Sequence, residues 1–402
     1  MYTNGLDHVH DPNKSHGMTS ISKDAIVKAY DEGFHRPKAI QAQLLQLGLN
    51  PLPSTIQISR FLTYRRSISE ANVVHLGDLS RICNALKPMP EDLDTPFLLD
   101  LSINEEEKTF QFSLSTPRLI GFLGNAECIH TDATYKLIWE GFPVIRIGTS
   151  DNALQFHPIS ISVTTGESET DFLTAFQHLI NTSGLTLKPI AVIADCSLAI
   201  TNAAYSAFGN EIKRVYCWFH VSKKVKENLI SKSVPLDLRK NIRDDIAFLQ
   251  LADSSKEFEV AKALWIKKWA GETTAEFCTY FTNEYLNQRQ GWYEGYAPGF
   301  ASTNNGLESV NNTIKQENTF RNRLPLGEFM DTMKNVVRGW SQHRNPSHPD
   351  CKMFHERPML PMHLMTKAYN WARDKNRPPS RSKECDATHT MYFIPASGQK
   401  PL

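Results

Sequence analysis

The sequence contains little that would tie it together covalently or hold it in a membrane. Its seven cysteines (Cys83, Cys128, Cys196, Cys217, Cys278, Cys351 and Cys385) form an odd, scattered set with no CxxC pair. A disulfide framework is not expected, and a reducing compartment, cytosol or nucleus, fits best. No apolar run approaches the ~18 residues of a membrane span; Ile190 to Ala194 is typical of the longest. The polar N-terminus lacks a signal-peptide core, so the chain reads as soluble, with no membrane partner. Charge of one sign is also missing, since 44 Lys+Arg against 43 Asp+Glu leave a net +1. A surface for nucleic acid therefore has to come from local segregation of charge. No internal repeat or low-complexity tract appears. What is present is material for a core: 41% hydrophobic and 22% charged residues over 402 positions exclude disorder of the whole chain. At roughly 150 residues per domain they predict two or three domains.

Residues 1–20 form a polar tail containing His8, His10 and His16. Across 21–67 three short helical patterns follow one another, Lys23 to Glu32, Arg36 to Leu47 and Ser54 to Arg66, punctuated by Gly33, Gly48 and Pro53. In the third, Ser54 is a good N-cap and Ile56, Ile58, Phe61 and Leu62 supply an apolar stripe. Arg60, Arg65 and Arg66 lie outside it, as in the recognition helix of a helix-turn-helix DNA-binding unit. A plain three-helix packing unit explains the same pattern equally well. Residues 68–108, with the acidic run Glu105 to Glu107, suit a connector, with a domain boundary near residue 100.

Beyond it the pattern turns to strands, at 109–115, 127–137, 143–149 and 156–164, bounded by Gly, Asn, Asp and Pro. A helix over 169–180, a buried strand over 189–195, a helix over 198–208 and a strand over 212–219 follow. The order β-β-β-α-β-α-β after a leading strand predicts an α/β fold, a mixed sheet covered by helices. Residues 221–290 then read as almost wholly helical.

Three acids stand out. Asp195 closes the apolar strand IAVIAD, at the strand end where functional groups collect in α/β sheets; capping the next helix would explain it too. Asp132 lies inside ECIHTDATYKL, where an acid has poor strand propensity and is costly to bury without a partner or metal; the alternative is a solvent-facing position. Glu308 opens the helix expected over 305–317, where Asn305-x-x-Glu308 also fits a capping box. Together, a mid-sheet acid, one at the end of a neighbouring strand and one on a helix are what two divalent cations need. Mg²⁺ or Mn²⁺ prefers oxygen ligands and can activate water or a 3′-hydroxyl in phosphodiester displacement.

Between the second and third acids lies Cys217-Trp218-Phe219-His220. It supplies two zinc-type ligands where a structural zinc needs four. Cys196, His130, Cys278, or Cys351 with His355, are the available complements, so zinc is possible without a complete ligand set. A buried Cys and a hydrogen-bonded His near the active site is the preferred account. From Lys213 to Arg243, nine Lys or Arg, including Lys223, Lys224 and Lys226, face only Glu227 and Asp237. They form a candidate phosphate-backbone surface. Lys315, Arg321, Arg323, Lys334, Arg338 and Arg344 extend it, and Trp292, Tyr293 and Tyr296 are candidates to stack on bases.

This arrangement resembles the Mutator-like element (MULE) transposase domain, a DDE-type nuclease domain with the ribonuclease H fold. The resemblance is carried in order by TDATYK around Asp132, IADCSLAITNAAYSAF from Asp195, YCWFHVSKKVKENL, and STNNGLESVNNTIK around Glu308. It covers roughly residues 105–345 and implies a catalytic domain over 109–345 with a helical insertion over about 221–300, followed by a C-terminal tail, 346–402. It implies that Asp132, Asp195 and Glu308 are the metal-binding triad and that Cys217 and His220 form the family's Cys-x-x-His motif. Asn304, Asn305 and Asn311 match its asparagine-rich setting for the third acid. Further implications are a nuclear protein, DNA as partner in the form of transposon ends and target, a homo-oligomer, and strand cleavage followed by strand transfer. His8-x-His10 is similar to the closing ligands of a FLYWCH or WRKY-like zinc finger whose cysteine half is missing. The chain stops at Leu402 before any SWIM-type pattern, as expected of a fragment or of a copy that has lost a module. The leading alternative is a domesticated transposase that binds DNA as a transcription regulator without catalysis.

Overall fold

The computed structural model describes residues 18–31, 34, 37–67, 76–184, 187–315, 319, 323–359, 362–373, 381–384 and 390–393. His8, His10, His16, Arg321 and Cys385 lie outside the described residues.

The N-terminal unit consists of α1 (Ser20–Asp31), α2 (Pro37–Gln46) and α3 (Thr55–Ser67). It has its own core of Ile26, Ala29, Ile40, Leu44, Ile58 and Leu62, whose i, i+4 pairs put one stripe of each of α2 and α3 inward. Ser54 starts α3 through a reciprocal cap: Gln57 N donates to Ser54 Oγ (3.2 Å) and Ser54 N donates to Gln57 Oε1 (2.9 Å). Ile56, expected in the stripe, is 63% exposed. It sits two residues before Ile58 and so about 200° around the helix from it.

Next come α4 (Leu76–Asn84), β1 (Phe97–Asn104), β2 (Thr109–Ser115), α5 (Pro117–Gly121), β3 (Cys128–Thr134), β4 (Val144–Ser150), β5 (Phe156–Thr164), α6 (Glu169–Ser183), β6 (Ala191–Ala194), α7 (Leu198–Phe208) and β7 (Lys213–Tyr216). The seven strands form one mixed sheet in the order β1-β2-β5-β4-β3-β6-β7. β3, β4 and β5 are antiparallel, and β6 and β7 are added in parallel, the mixed α/β sheet that the strand and helix pattern led us to expect.

The expected connector over 68–108 is corrected at its C-terminal end. β1 is the edge strand of the sheet, and Leu79 and Cys83 of α4 are buried with Leu98, Phe110 and Phe112. The acidic run is the turn of the β1–β2 hairpin, where Asn104 Oδ1 accepts from Glu106 N and Glu107 N (3.1 Å each). A boundary near residue 100 would therefore cut a paired strand.

One face of the sheet, with Ile129, Ile145, Ile147, Ile159 and Val192, packs on Phe172 and Phe176 of α6 and Ile200 and Ala203 of α7. On the opposite face Cys128, Ala191, Ile193 and Val215 meet Ala297 and Phe300. The expected strand over 212–219 stops at Tyr216, and Trp218 to His220 form the first turn of α8 (Trp218–Ser231). With α9 (Leu236–Gln250), α10 (Ser255–Trp269) and α11 (Ala275–Phe281), which continues into a π turn over Thr282–Gln288, α8 builds a second core. Trp292 and Tyr293 are buried in that core and Tyr296 packs against it. These aromatics stabilise the insertion and are not a base-stacking platform.

The chain continues with α12 (Asn305–Thr313), α13 (Leu326–Gln342) packed on the β2–β5 side, α14 (Met362–Arg373) and the hairpin β8 (Arg381–Glu384) and β9 (Thr390–Phe393). The expected C-terminal tail begins as part of the body. Phe354 packs on Phe122 and His157, Asn152 N donates to His355 O (3.0 Å), and His355 N donates to Asp151 Oδ2 (3.0 Å). None of the described helices is long and apolar enough to cross a membrane.

Candidate active site

β3 runs parallel to β6 with Ile129 opposite Val192 and His130 opposite Ile193. Two residues further along each chain bring Asp132 level with Asp195, which lies one residue beyond β6. Side chains alternate along a strand, so both acids project to the face of Cys128, His130 and Ile193, where the chain leading into α12 packs. Paired strands lie about 4.8 Å apart, so the sheet itself sets two carboxylates side by side.

Asp132 pairs across the antiparallel ladder with Arg146. Arg146 NH2 is 3.3 Å from Asp132 Oδ2, and Asn311 Nδ2 donates to the same oxygen at 3.5 Å. Burial pushes the Asp132 carboxyl up to about 6; Arg146 opposes this, and the charges of Asp195 and Glu308 push the same way as burial. Burial and like charge therefore outweigh the arginine. Arg146, itself buried, is pushed down to about 10 by burial, against the pull of Asp132 and Glu308. Its Nε and NH1 have no hydrogen-bond partner.

Asp195 is not the helix cap: Ser197 is the N-cap of α7, and Asp195 Oδ1 accepts from Ser197 N at 2.9 Å. The buried Arg214 guanidinium donates to the Asp195 main-chain oxygen and fixes the strand end. Glu308 does not form the capping box considered above either. The N-cap of α12 is Asn304, Glu308 N donates to Asn304 O (3.0 Å), and Glu308 Oε1 is buried with no hydrogen bond, 3.9 Å from His220 Nε2.

Asn304 ties α12 to the sheet. Fully buried, it donates through Nδ2 to Thr131 O (3.0 Å) and faces His130 Nδ1 with Oδ1 (2.9 Å), while its N donates to Cys217 Sγ (3.2 Å). Because Oδ1 can only accept, His130 carries its proton on Nδ1, and Nε2 accepts from the Ser150 hydroxyl (2.8 Å). Trp218 N donates to Ser302 O (2.9 Å). The strand bearing Asp132, the turn bearing Cys217 and the helix bearing Glu308 are thus joined through one asparagine. Close approach of α12 to β5 requires Gly306, whose missing Cβ would lie 2.4 Å from Phe156 Cβ. Asn305 opens α12 on its exposed side, and Asn311 is buried.

Cys217, His220 and Glu308 place one ligand atom each within 4.8 Å of one another. Contact with Cys217, first, and the charges of Asp132 and Asp195 raise His220 to about 8 against the effect of burial. No fourth ligand joins them among the described residues. His130 is committed through both nitrogens, Cys278 Sγ donates to Trp269 O (2.6 Å), and His355, in the same segment as Cys351, is bonded to the β4–β5 turn. Cys196 is outside the group.

The expected DNA-contacting residues are dispersed. Lys223, Lys224 and Lys226 are exposed on α8, Lys224 in an ion pair with Glu227 (3.1 Å). Lys315 is half-buried beside the acids, and burial and the charge of Arg146 lower its pKa. Arg323 is exposed. Arg60 and Arg65 are on α3, the former exposed and the latter half-buried, and Arg66 is in the same helix. Arg344 is not a surface cation: it is buried, and its Nε donates to His157 Nδ1 (3.1 Å). Sequence reasoning passed over Arg146; its only signal was one arginine inside the apolar strand VIRIG.

Residues 128–224 match the family model of the MULE transposase domain. The match runs from the start of β3 into α8 and takes in Asp132, Asp195, Cys217 and His220, with Glu308 beyond it. This segment, less than half of the chain, is similar to the MULE transposase domain. A search of curated proteins finds no match. Among solved structures, the Drosophila P element transposase strand transfer complex is similar over 90% of this chain and 89% of that one, with 9% identity and a TM-score of 0.27.

Proposed function

We propose that the chain is a metal-dependent polynucleotidyl transferase that cuts DNA at transposon ends and joins the freed end to target DNA. This reading is supported by the register that sets Asp132 and Asp195 side by side on one face of the sheet, with Glu308 near enough for its charge to act on Asp132; the ligand atoms of the three acids do not all lie within 4.8 Å of one another, as those of Cys217, His220 and Glu308 do. The donor set suits a hard divalent cation. All three acids offer oxygen, and Glu308 Oε1 is buried with no hydrogen bond, a costly state that a cation would relieve. Asp132, Asp195 and Glu308 would hold Mg²⁺ or Mn²⁺, which supplies activation of the attacking oxygen and stabilisation of the leaving one.

The surrounding residues have roles of their own. Asn304 holds the Glu308 helix against the Asp132 strand. His220, charged below about pH 8, offsets the negative charge beside Glu308. The lysines of α8 meet phosphates next to the acids. A nuclear location and assembly as a homo-oligomer, which holding two element ends together would require, belong to this proposal.

A second reading, DNA binding without catalysis, is favoured by one contact: Arg146 already neutralises Asp132 from within the sheet. Purified protein with linear and branched DNA in Mn²⁺ or Mg²⁺ separates the two. Strand cleavage that falls by at least a hundredfold in Asp195→Asn and Glu308→Gln supports the enzyme. Cleavage untouched by both substitutions means the acids are misassigned, and DNA binding with no cleavage in the wild type favours the second reading.

A further inference from the structure

Beside the acids, the same face opens into a cavity of about 350 Å³. It is walled by the turn before α7, the first turns of α8 and the π turn after α11; its lining includes Asp195, His220, Lys223, Tyr280, Glu284 and Arg289. We propose that this cavity receives one unstacked nucleotide of the DNA strand, next to the phosphodiester presented to the acids. The proposal rests on the polynucleotidyl-transferase reading and names a substrate subsite for it.

Size is the first argument. The volume lies at the lower end of small-ligand sites, enough for a single nucleotide and too small for a base pair. The distribution of charge is the second. Lys223 is exposed and makes no ion pair among the described residues, whereas Lys224 is engaged by Glu227. Ser197, also in the lining, caps α7 without a side-chain hydrogen bond to the helix, leaving its hydroxyl beside the helix N-terminus, a favourable setting for phosphate. Arg289 is bound to Glu284 through NH1, but its Nε is buried and has no acceptor, a donor that a ligand oxygen would satisfy.

The acids in the lining decide what kind of ligand fits. Asp195 and Glu284 disfavour a simple anion, while Glu284 suits the amino or imino N–H of a base. Tyr280 offers the aromatic wall. Its hydroxyl accepts from Asn228 Nδ2 (3.0 Å), and Lys232 Nζ lies 5.4 Å from its ring centroid, so the half-buried ring is held in place. Aromatic wall, cation and buried donor together are the chemistry of single-strand recognition. Extrusion of a nucleotide costs least beside a nick or an end. The π turn that places Glu284 is itself a distortion often found where a helix has been reshaped for function.

The test uses the full chain without divalent cation and short single-stranded oligonucleotides carrying photoreactive 5-iodouracil at successive positions, with crosslinks mapped by mass spectrometry. Crosslinking to Tyr280 or Tyr285 is expected, falling about tenfold in Tyr280→Leu and in the surface variant Lys223→Glu. Lys256→Glu, on the exposed side of α10 and not in the lining, should retain it. Crosslinks that map only elsewhere, or that survive both substitutions unchanged, overturn the subsite. The transferase reading fails separately, if Glu308→Gln still cleaves DNA.

Discussion

Arg146 and Asp132 show how much of the site depends on single residues placed against propensity. An arginine and an aspartate sit opposite each other in the middle of a sheet, and the arginine has two nitrogens without partners. Removing one member of a buried pair leaves the other charge uncompensated. Arg146→Met is therefore expected to lower stability at neutral pH by about 3 kcal/mol in urea unfolding; unchanged stability would mean that Asp132 is solvated and not buried. Asp132 and Asp195 were legible because acids in or at the end of apolar strands are conspicuous, and Glu308 because it opens a helix in an asparagine-rich stretch. Arg146 was not, because an arginine in a strand ordinarily faces solvent and only the register shows its partner. Trp292 and Tyr293 misled for the opposite reason: an aromatic reads alike whether it awaits a base or fills a core.

His157 makes a second residue-scale prediction. Arg344 donates to its Nδ1 and its Nε2–H faces Asp151 Oδ2 at 3.2 Å, so the ring is neutral. Burial first, and the charge of Arg344 next, push it down to about 4 from 6.5; burial does the same to His130, also to about 4. The unfolded chain takes up these protons before the folded one does, so stability is complete above pH 6.5 and declines as pH falls towards 4. Melting temperature measured across that window should drop in the wild type. In His157→Gln, which keeps both hydrogen-bonding roles without a charge to gain, the drop should be shallower; an identical slope would contradict the assignment.

At the scale of elements, period and punctuation carried most of the fold. β2, β5 and α7 begin and end at the expected residues, because Pro117, Gly166 and Gly209 follow them closely and each has the period of its type. β1 was missed because Phe97–Asn104 runs into an acidic turn that resembles a linker, and its pairing with β2 is a tertiary fact. The end of β7 was overrun because Trp218 and Phe219 favour strands in isolation, while Trp218 N is taken by Ser302 O as α8 begins. The seating of α12 depends on Gly306 against Phe156. Gly306→Ala is expected to cost about 1–3 kcal/mol by overpacking and to reduce DNA cleavage by shifting Glu308. Adding Phe156→Ala should recover part of both losses. A single variant that melts and cleaves like the wild type would show that α12 is not held at this contact.

For the whole molecule, near-zero net charge conceals segregation. The cations of α8 border the acidic centre, and the insertion maintains its own core behind them. Sequence order alone could suggest that acids in two strands and a distant helix meet. It could not show that a buried asparagine and a π turn shape the space around them, since both arise from packing between segments far apart in the chain.

The central claim is that Asp132, Asp195 and Glu308 form one divalent-cation site. Mn²⁺ binding to the full chain, followed by electron paramagnetic resonance, tests it most directly, with circular dichroism confirming that each variant is folded. The wild type should bind Mn²⁺, and Asp132→Asn, Asp195→Asn and Glu308→Gln should each weaken binding by at least about tenfold. Binding at wild-type affinity after substitution of any one of the three would contradict the shared site.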